Sequence, residues 1–254
     1  MIAAIASAAA IAVYLYGVGL YNGRFPDRAY SGWRVTAFLC GAALMAAAVA
    51  PPIDLLADRF FAWHMTQHVI LMLVGPPLIL LGAPLLLLVA VPPRRIARRF
   101  TGFAQSALGH ALFAPLTGWL AFVAVLWTSH FSPLYEAALE HPALHVFEHT
   151  LYAGAAMLFW ASVVQVGYTP RPLPYPARML YLFLAIPQGA FLGFAIYGAR
   201  GVLYPHYLHA QTAGLALADQ QNGGAVMWIA GGLLLFLAFM CTAAAWAAAE
   251  RAPA

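Results

Sequence analysis

Seven long apolar stretches, separated by short polar connections, constrain what this chain can fold into. They cover about residues 2–20, 35–51, 62–86, 112–129, 143–166, 177–198 and 224–248. A helix that crosses a bilayer needs ~20 apolar residues. Backbone groups in hydrocarbon find no water, so each crossing segment must close its own hydrogen bonds. The expected fold class is therefore all-α, a polytopic membrane bundle of seven transmembrane helices forming one domain over residues 1–254. Composition agrees. Hydrophobic residues make up 64% of the 254 and charged residues only 8%, against roughly 25% charged in a soluble domain. That balance excludes a cytosolic globular enzyme, a disordered tail and a nucleic-acid binder.

Charge placement predicts orientation. All twelve basic residues are arginines. Arg24, Arg28 and Arg34 share the first connection, Arg94, Arg95, Arg98 and Arg99 the third, Arg171 and Arg178 the fifth, and Arg251 follows the last stretch. Only Arg59 and Arg200 occupy the alternate connections. The arginine-rich side is expected to be cytoplasmic, with the N-terminus outside and the C-terminus inside. No basic residue precedes Arg24, so the first stretch is expected to stay as a helix rather than be cleaved. The third stretch holds Pro76 and Pro77, with Gly75, Gly82 and Pro84 nearby. It is expected to be one kinked helix; two half-helices folding back are the alternative. Cys40 and Cys241 lie in apolar runs and are expected to be small packing residues. Trp33, Trp63, Trp127, Trp160 and Trp228 are expected at the bilayer interfaces.

With that topology, eight of the nine histidines fall on the outer side, and only His110 on the inner. His64 and His68 are four residues apart, so they stack on one helix face. His145 and His149 repeat the spacing on another helix, which Pro142 is placed to begin. Two helices each presenting such a pair at one depth can bring four nitrogens to one point. His149 and Glu148 lie deep enough that an ionisable side chain is expected to face the bundle interior. Imidazole suits zinc, copper, iron and nickel, and thioether favours copper(I). The expected metal ligands are His64, His68, His145 and His149, completed by Met227 or His130. Met72 lies two turns below His64. The run Asp219-Gln220-Gln221-Asn222-Gly223-Gly224 is expected as a helix-start turn, from which Asp219 or Gln220 reaches the imidazoles as supporting groups. Glu148 is expected to orient imidazoles or accept protons. Two other chemistries fit the histidines: b-type haem held between the pairs in an electron carrier, and cation or proton transport through Glu148 and the broken third helix.

Several segments together resemble one family. They are Trp63-His64-Met65-Thr66-Gln67-His68 followed by Gly75-Pro76-Pro77 and Leu81-Gly82-Ala83-Pro84; Trp127-Thr128-Ser129-His130-Phe131-Ser132-Pro133-Leu134-Tyr135; His145-Val146-Phe147-Glu148-His149; and Leu203-Tyr204-Pro205-His206-Tyr207 with Asp219-Gln220-Gln221 through Met227-Trp228. In order over about residues 60–230, these are similar to the polytopic CtaG-like cytochrome c oxidase assembly factors. The resemblance implies seven helices, no catalytic residues, and a role in maturing haem–copper oxidase by handling copper outside the cytoplasm. It also implies a bacterial cytoplasmic membrane. The partners implied are oxidase subunits or another copper chaperone. Gln67 and Gln220, within the matching segments, are expected beside the metal with Asp219 and Glu148.

Overall fold

The computed structural model describes residues 2–251; Met1 and residues 252–254 lie outside it, and with them the chain ends whose sidedness the arginines predict. The regular structure among the described residues is all helical. In chain order the helices are α1 (Ile2–Arg24), α2 (Gly32–Ala48), α3 (Ile53–Arg59), α4 (Phe61–Val69), α5 (Gly75–Leu81), α6 (Pro84–Ala90), α7 (Arg94–Gln105) and α8 (Ala107–Leu112). They continue with α9 (Pro115–His130), α10 (Pro133–Glu140), α11 (Pro142–Ala161), α12 (Tyr175–Tyr197), α13 (Ala213–Ala225) and α14 (Gly232–Arg251). A π-helical segment, Ile70–Val74, joins α4 to α5, and another, Val226–Gly231, joins α13 to α14.

Three helical stretches are long and apolar enough to cross a membrane: Phe61–Ala90, Tyr175–Tyr197 and Ala213–Arg251. A fourth arises if Gly32–Ala48 and Ile53–Arg59, bent by 43°, count as one span. This makes the chain a membrane-associated all-α protein. Seven separate spans are expected from the sequence, and two of the shortfalls have plain causes. Helix α9 has only 16 residues. Helix α11 has 20, but His145, Glu148 and His149 dilute its apolar character.

The third stretch continues as a single 30-residue span, as expected, and does not fold back on itself. Several other local expectations change. The last helix starts at Ala213, so the Asp219–Gly224 run lies within a helix and not in a turn. Helices α3, α7, α8 and α10 occupy connections that lack a long apolar signal. Cys40 and Cys241 are exposed on the bundle surface rather than packed inside. Trp160 is buried, not interfacial.

The reason for that burial lies in the third span. A proline has no N–H to return to the preceding turn. Pro76 and Pro77 therefore withdraw the donors that the Met72 carbonyl would meet at four and five residues. The Trp160 indole replaces them, donating from Nε1 to the Met72 carbonyl at 2.8 Å. Further along, Ala83 takes a left-handed conformation with φ 50° and breaks the span. The Tyr14 hydroxyl donates to the Gly82 carbonyl at 2.9 Å, and Tyr30 donates to the Gly82 and Ala83 carbonyls at 2.5 and 3.0 Å. Burial, the largest cause, pushes the Tyr30 phenol up, so it remains a neutral donor.

Two apolar clusters hold the helices. The smaller joins α1, α2 and α6 through Tyr14, Val18, Phe38, Ala42 and Leu87. The larger joins the remaining long helices around Phe61, Met65, Phe122, Tyr152, Phe159 and Leu192. Where α12 meets the last span, the two backbones touch at Gly193 and Gly224. A Cβ on Gly193 would lie 2.6 Å from the Gly224 carbonyl oxygen, and one on Gly224 would lie 2.6 Å from the Tyr197 nitrogen. Small residues permit such approach between membrane helices.

Replacing the indole tests the repair of the third span. Trp160→Phe keeps an aromatic ring but leaves the Met72 carbonyl without its donor, which costs about 1–3 kcal/mol. Thermal unfolding in detergent is expected to show a lowered midpoint, and Trp33→Phe, at an exposed position, is expected to show little change.

Candidate metal centre

Helix α4 begins at Phe61 because the Asp219 carboxylate accepts from the first free backbone amides, Phe61 at 2.6 Å and Ala62 at 3.4 Å. A negative group at a helix N-terminus also offsets the helix dipole. One turn in, His64 and His68 point the same way. Their Nε2 atoms stand 2.9 Å apart. Helix α11 begins at Pro142, the position the sequence indicates, and carries His145, Glu148 and His149 on its inward turns.

The two histidine pairs meet. His64 lies 5.5 Å from His145 and 6.1 Å from His149 between ring centroids, and His68 lies 5.7 Å from His149. One ligand atom from each of His64, His68, Glu148 and His149 can be chosen so that all lie within 4.8 Å of one another. Two nitrogens bound tetrahedrally to one ion at ~2.05 Å stand ~3.3 Å apart, close to the His64–His68 separation. The group can hold a metal ion. Its donor set is three nitrogens and a carboxylate, with no thiolate nearby.

Burial makes the group unusual. Glu148 is 1% exposed, and neither of its carboxylate oxygens has a partner. His149 Nε2, His145 Nε2 and His68 Nδ1 are likewise buried and unpartnered. Buried polar atoms are nearly always hydrogen-bonded. Glu148 and His149, both in the four-residue group, thus keep unpartnered atoms that a cation would satisfy.

A tyrosine layer supports the imidazoles. Tyr207 Oη lies 3.3 Å from His64 Nδ1 and 2.9 Å from Tyr135 Oη. Burial pushes both phenols well above the ordinary tyrosine range, so they stay protonated. On the opposite side, the Tyr152 ring packs 4.2 Å from the His68 ring, and its hydroxyl bonds to Ser129. Sequence reading leaves out Tyr135, Tyr152 and Tyr207 as supports. Tyr207 reaches His64 across 143 residues of sequence, and no local spacing announces such contacts.

The other predicted residues sit apart from the four-residue group. His145 packs against His149 at 4.2 Å between ring centroids. His130 lies 5.8 Å from His68. Met227 shares a cavity wall with His68 and His130. Gln67 donates to the Ala48 carbonyl at 2.7 Å and to Asp54 at 3.3 Å. Gln220 accepts from the Leu203 amide at 2.7 Å. Asp219, Gln67 and Gln220 thus spend their hydrogen bonds on neighbouring backbone, on Asp54 or on Gln211 rather than on the imidazoles. Glu148, expected as an orienting group, stands among the candidate ligands themselves.

Because Asp219 anchors the helix that carries His64 and His68, its loss has a measurable cost. Asp219→Ala removes the cap and is expected to lower stability by about 1–2 kcal/mol. A drop in melting temperature measures it, and Asp219→Asn, which keeps an acceptor, is expected to recover part of the loss.

The sequence profile of the cytochrome c oxidase caa3 assembly factors matches residues 12–249. Uncharacterized proteins of Mycobacterium bovis and Mycobacterium tuberculosis are each 25% identical over 246 residues, covering 93% of this chain. One from Mycobacterium leprae is 25% identical over 91% of this chain. The chain spans 37% of the length of these relatives. No solved structure matches. With nearly its whole length covered by that profile, the chain belongs to the cytochrome c oxidase caa3 assembly factor family.

Proposed function

We propose that this chain handles copper as cargo for the assembly of a haem–copper oxidase, holding the ion at His64, His68, His149 and Glu148 with His145 alongside. The observation that carries the reading is the convergence of two histidine pairs and an unpartnered carboxylate inside a member of an oxidase assembly family. An assembly factor serves the maturation of another protein and is not an enzyme. A site that gives up its metal suits weak geometric demands and adjustable neutral ligands.

The proposed setting is a bacterial cytoplasmic membrane, with seven spans, the N-terminus outside and the C-terminus inside. The division of arginines, ten against two, supports that orientation. In that proposed orientation the histidine end of the bundle faces away from the cytoplasm, where oxidase subunits or another copper chaperone are the proposed recipients or donors. Asp219, Gln67 and Gln220 act at one remove, by fixing the helices and loops that carry the imidazoles.

The packing favours an ion over haem. His64 and His68 Nε2 atoms face each other at 2.9 Å, with no plane between them.

Copper content of purified protein decides the matter. Binding needs deprotonated, correctly placed ligands, so His64→Ala with His149→Ala is expected to lose the copper held at this site. Identical copper retention in wild type and double variant overturns the proposal. A strong Soret band in the wild type favours haem instead.

A further inference from the structure

Immediately beyond His68 lies a second feature that the four-residue group does not use. A small cavity of about 40 Å³ is walled by His68, His130, Met72, Met227 and apolar neighbours. Both π-helical segments contribute to it, Met72 from Ile70–Val74 and Met227 from Val226–Gly231. A π turn inserts an extra residue into a helix and recurs at functional sites. Here two of them, on different spans, face one void.

His130 is set up as a ligand at this void. Its Nδ1 lies 2.8 Å from the Leu126 carbonyl oxygen. The Ser129 and Tyr152 hydroxyls also approach Nδ1, at 3.1 and 3.2 Å; with the Nδ1 proton directed at the carbonyl, which can only accept, Nε2 of the neutral ring presents its lone pair. That Nε2 is buried and has no partner, on a side chain only 3% exposed. A backbone carbonyl fixing one nitrogen while the other is left free is how metal-binding imidazoles are usually held. The only other atoms on the wall with ligating ability are the two thioethers and His68.

We infer that this cavity is a second metal station, a soft thioether–imidazole site for a monovalent ion such as copper(I), formed by His130, Met72 and Met227 and adjoining the His/Glu group through His68. The inference rests on the copper reading above and deepens it. Thioether sulfur selects copper(I) over zinc and other harder cations, which a three-nitrogen, one-carboxylate group does not do. Copper(I) accepts few ligands, matching a void with one free nitrogen and two sulfurs. His130 also lines a surface cleft with Ser132, Tyr135, Glu136 and Tyr204, so the residue lies between that cleft and the void. Movement of an ion between the stations exchanges ligands and transfers no electron.

Silver(I), which is soft and does not cycle between oxidation states, is the probe, with copper(I) in parallel under reducing conditions. The full chain in detergent is titrated, and the bound metal is examined by X-ray absorption for sulfur neighbours. Wild type is expected to bind two equivalents, one with sulfur ligands. Met72→Leu with Met227→Leu, a near-isosteric change, is expected to bind one equivalent and lose the sulfur signal. His64→Ala with His149→Ala is expected to keep the sulfur-ligated equivalent and lose the other. An unchanged stoichiometry and sulfur signal in the methionine variant overturns the second station. A single nitrogen- and oxygen-ligated equivalent, lost on changing His64 and His149, overturns it while the His/Glu reading stands. Absence of binding by every protein overturns both.

Discussion

Glu148 imposes the harshest condition in this molecule. A carboxylate withdrawn from water with neither oxygen bonded carries a penalty of several kcal/mol if it is charged. Three imidazoles are buried with it, at His64, His68 and His149. Such an arrangement survives only if the surrounding helices are held firmly enough that none can turn its polar side chain outward. Much of the rest of the fold answers that demand. Asp219 pins the start of α4, the tyrosines brace His64 and His68, and the apolar cluster around Phe61, Met65 and Tyr152 closes over them.

The same demand explains where helix regularity is given up. A third span of uninterrupted α-helix would satisfy its own backbone. This one carries two consecutive prolines and widens just before them. The carbonyl left over is met by an indole from α11, the helix that also delivers Glu148 and His149. Backbone repair and site assembly therefore use the same pair of helices. The Gly193–Gly224 contact does comparable work on the other side, bringing the last span close enough for Met227 to reach the interior.

Much of this was legible in the sequence, for reasons that can be named. Four-residue spacing states which side chains share a helix face, and so His64 with His68, and His145 with His149, could be paired before any fold was known. Pro142 marked a helix start because its missing N–H costs nothing there. Other features left no local trace. The Asp219–Gly224 run has the glycine and asparagine of a turn, yet tertiary packing along α12 holds it helical. Tyr207 and Tyr135 come from connections whose sequence says only that they are connections. Trp160 has the composition of an interfacial residue, and only the carbonyl stranded by Pro76 explains why it is inside. The third arginine connection carries no apolar helix signal because α7 is too charged and α8 too short to register as an apolar stretch.

The interrupted third span has a mechanical consequence. Where successive rungs of a helix are missing, bending stiffness drops, so the stretches on either side behave as two rods joined by a compliant pivot. The histidine-bearing rod, α4, is clamped at its far tip by Asp219, and the pivot itself is pinned by the Trp160 indole. Displacement of the arginine-side rod is thereby absorbed at the joint rather than carried through to the imidazoles, which keeps the ligand geometry insulated from motion at the opposite membrane face.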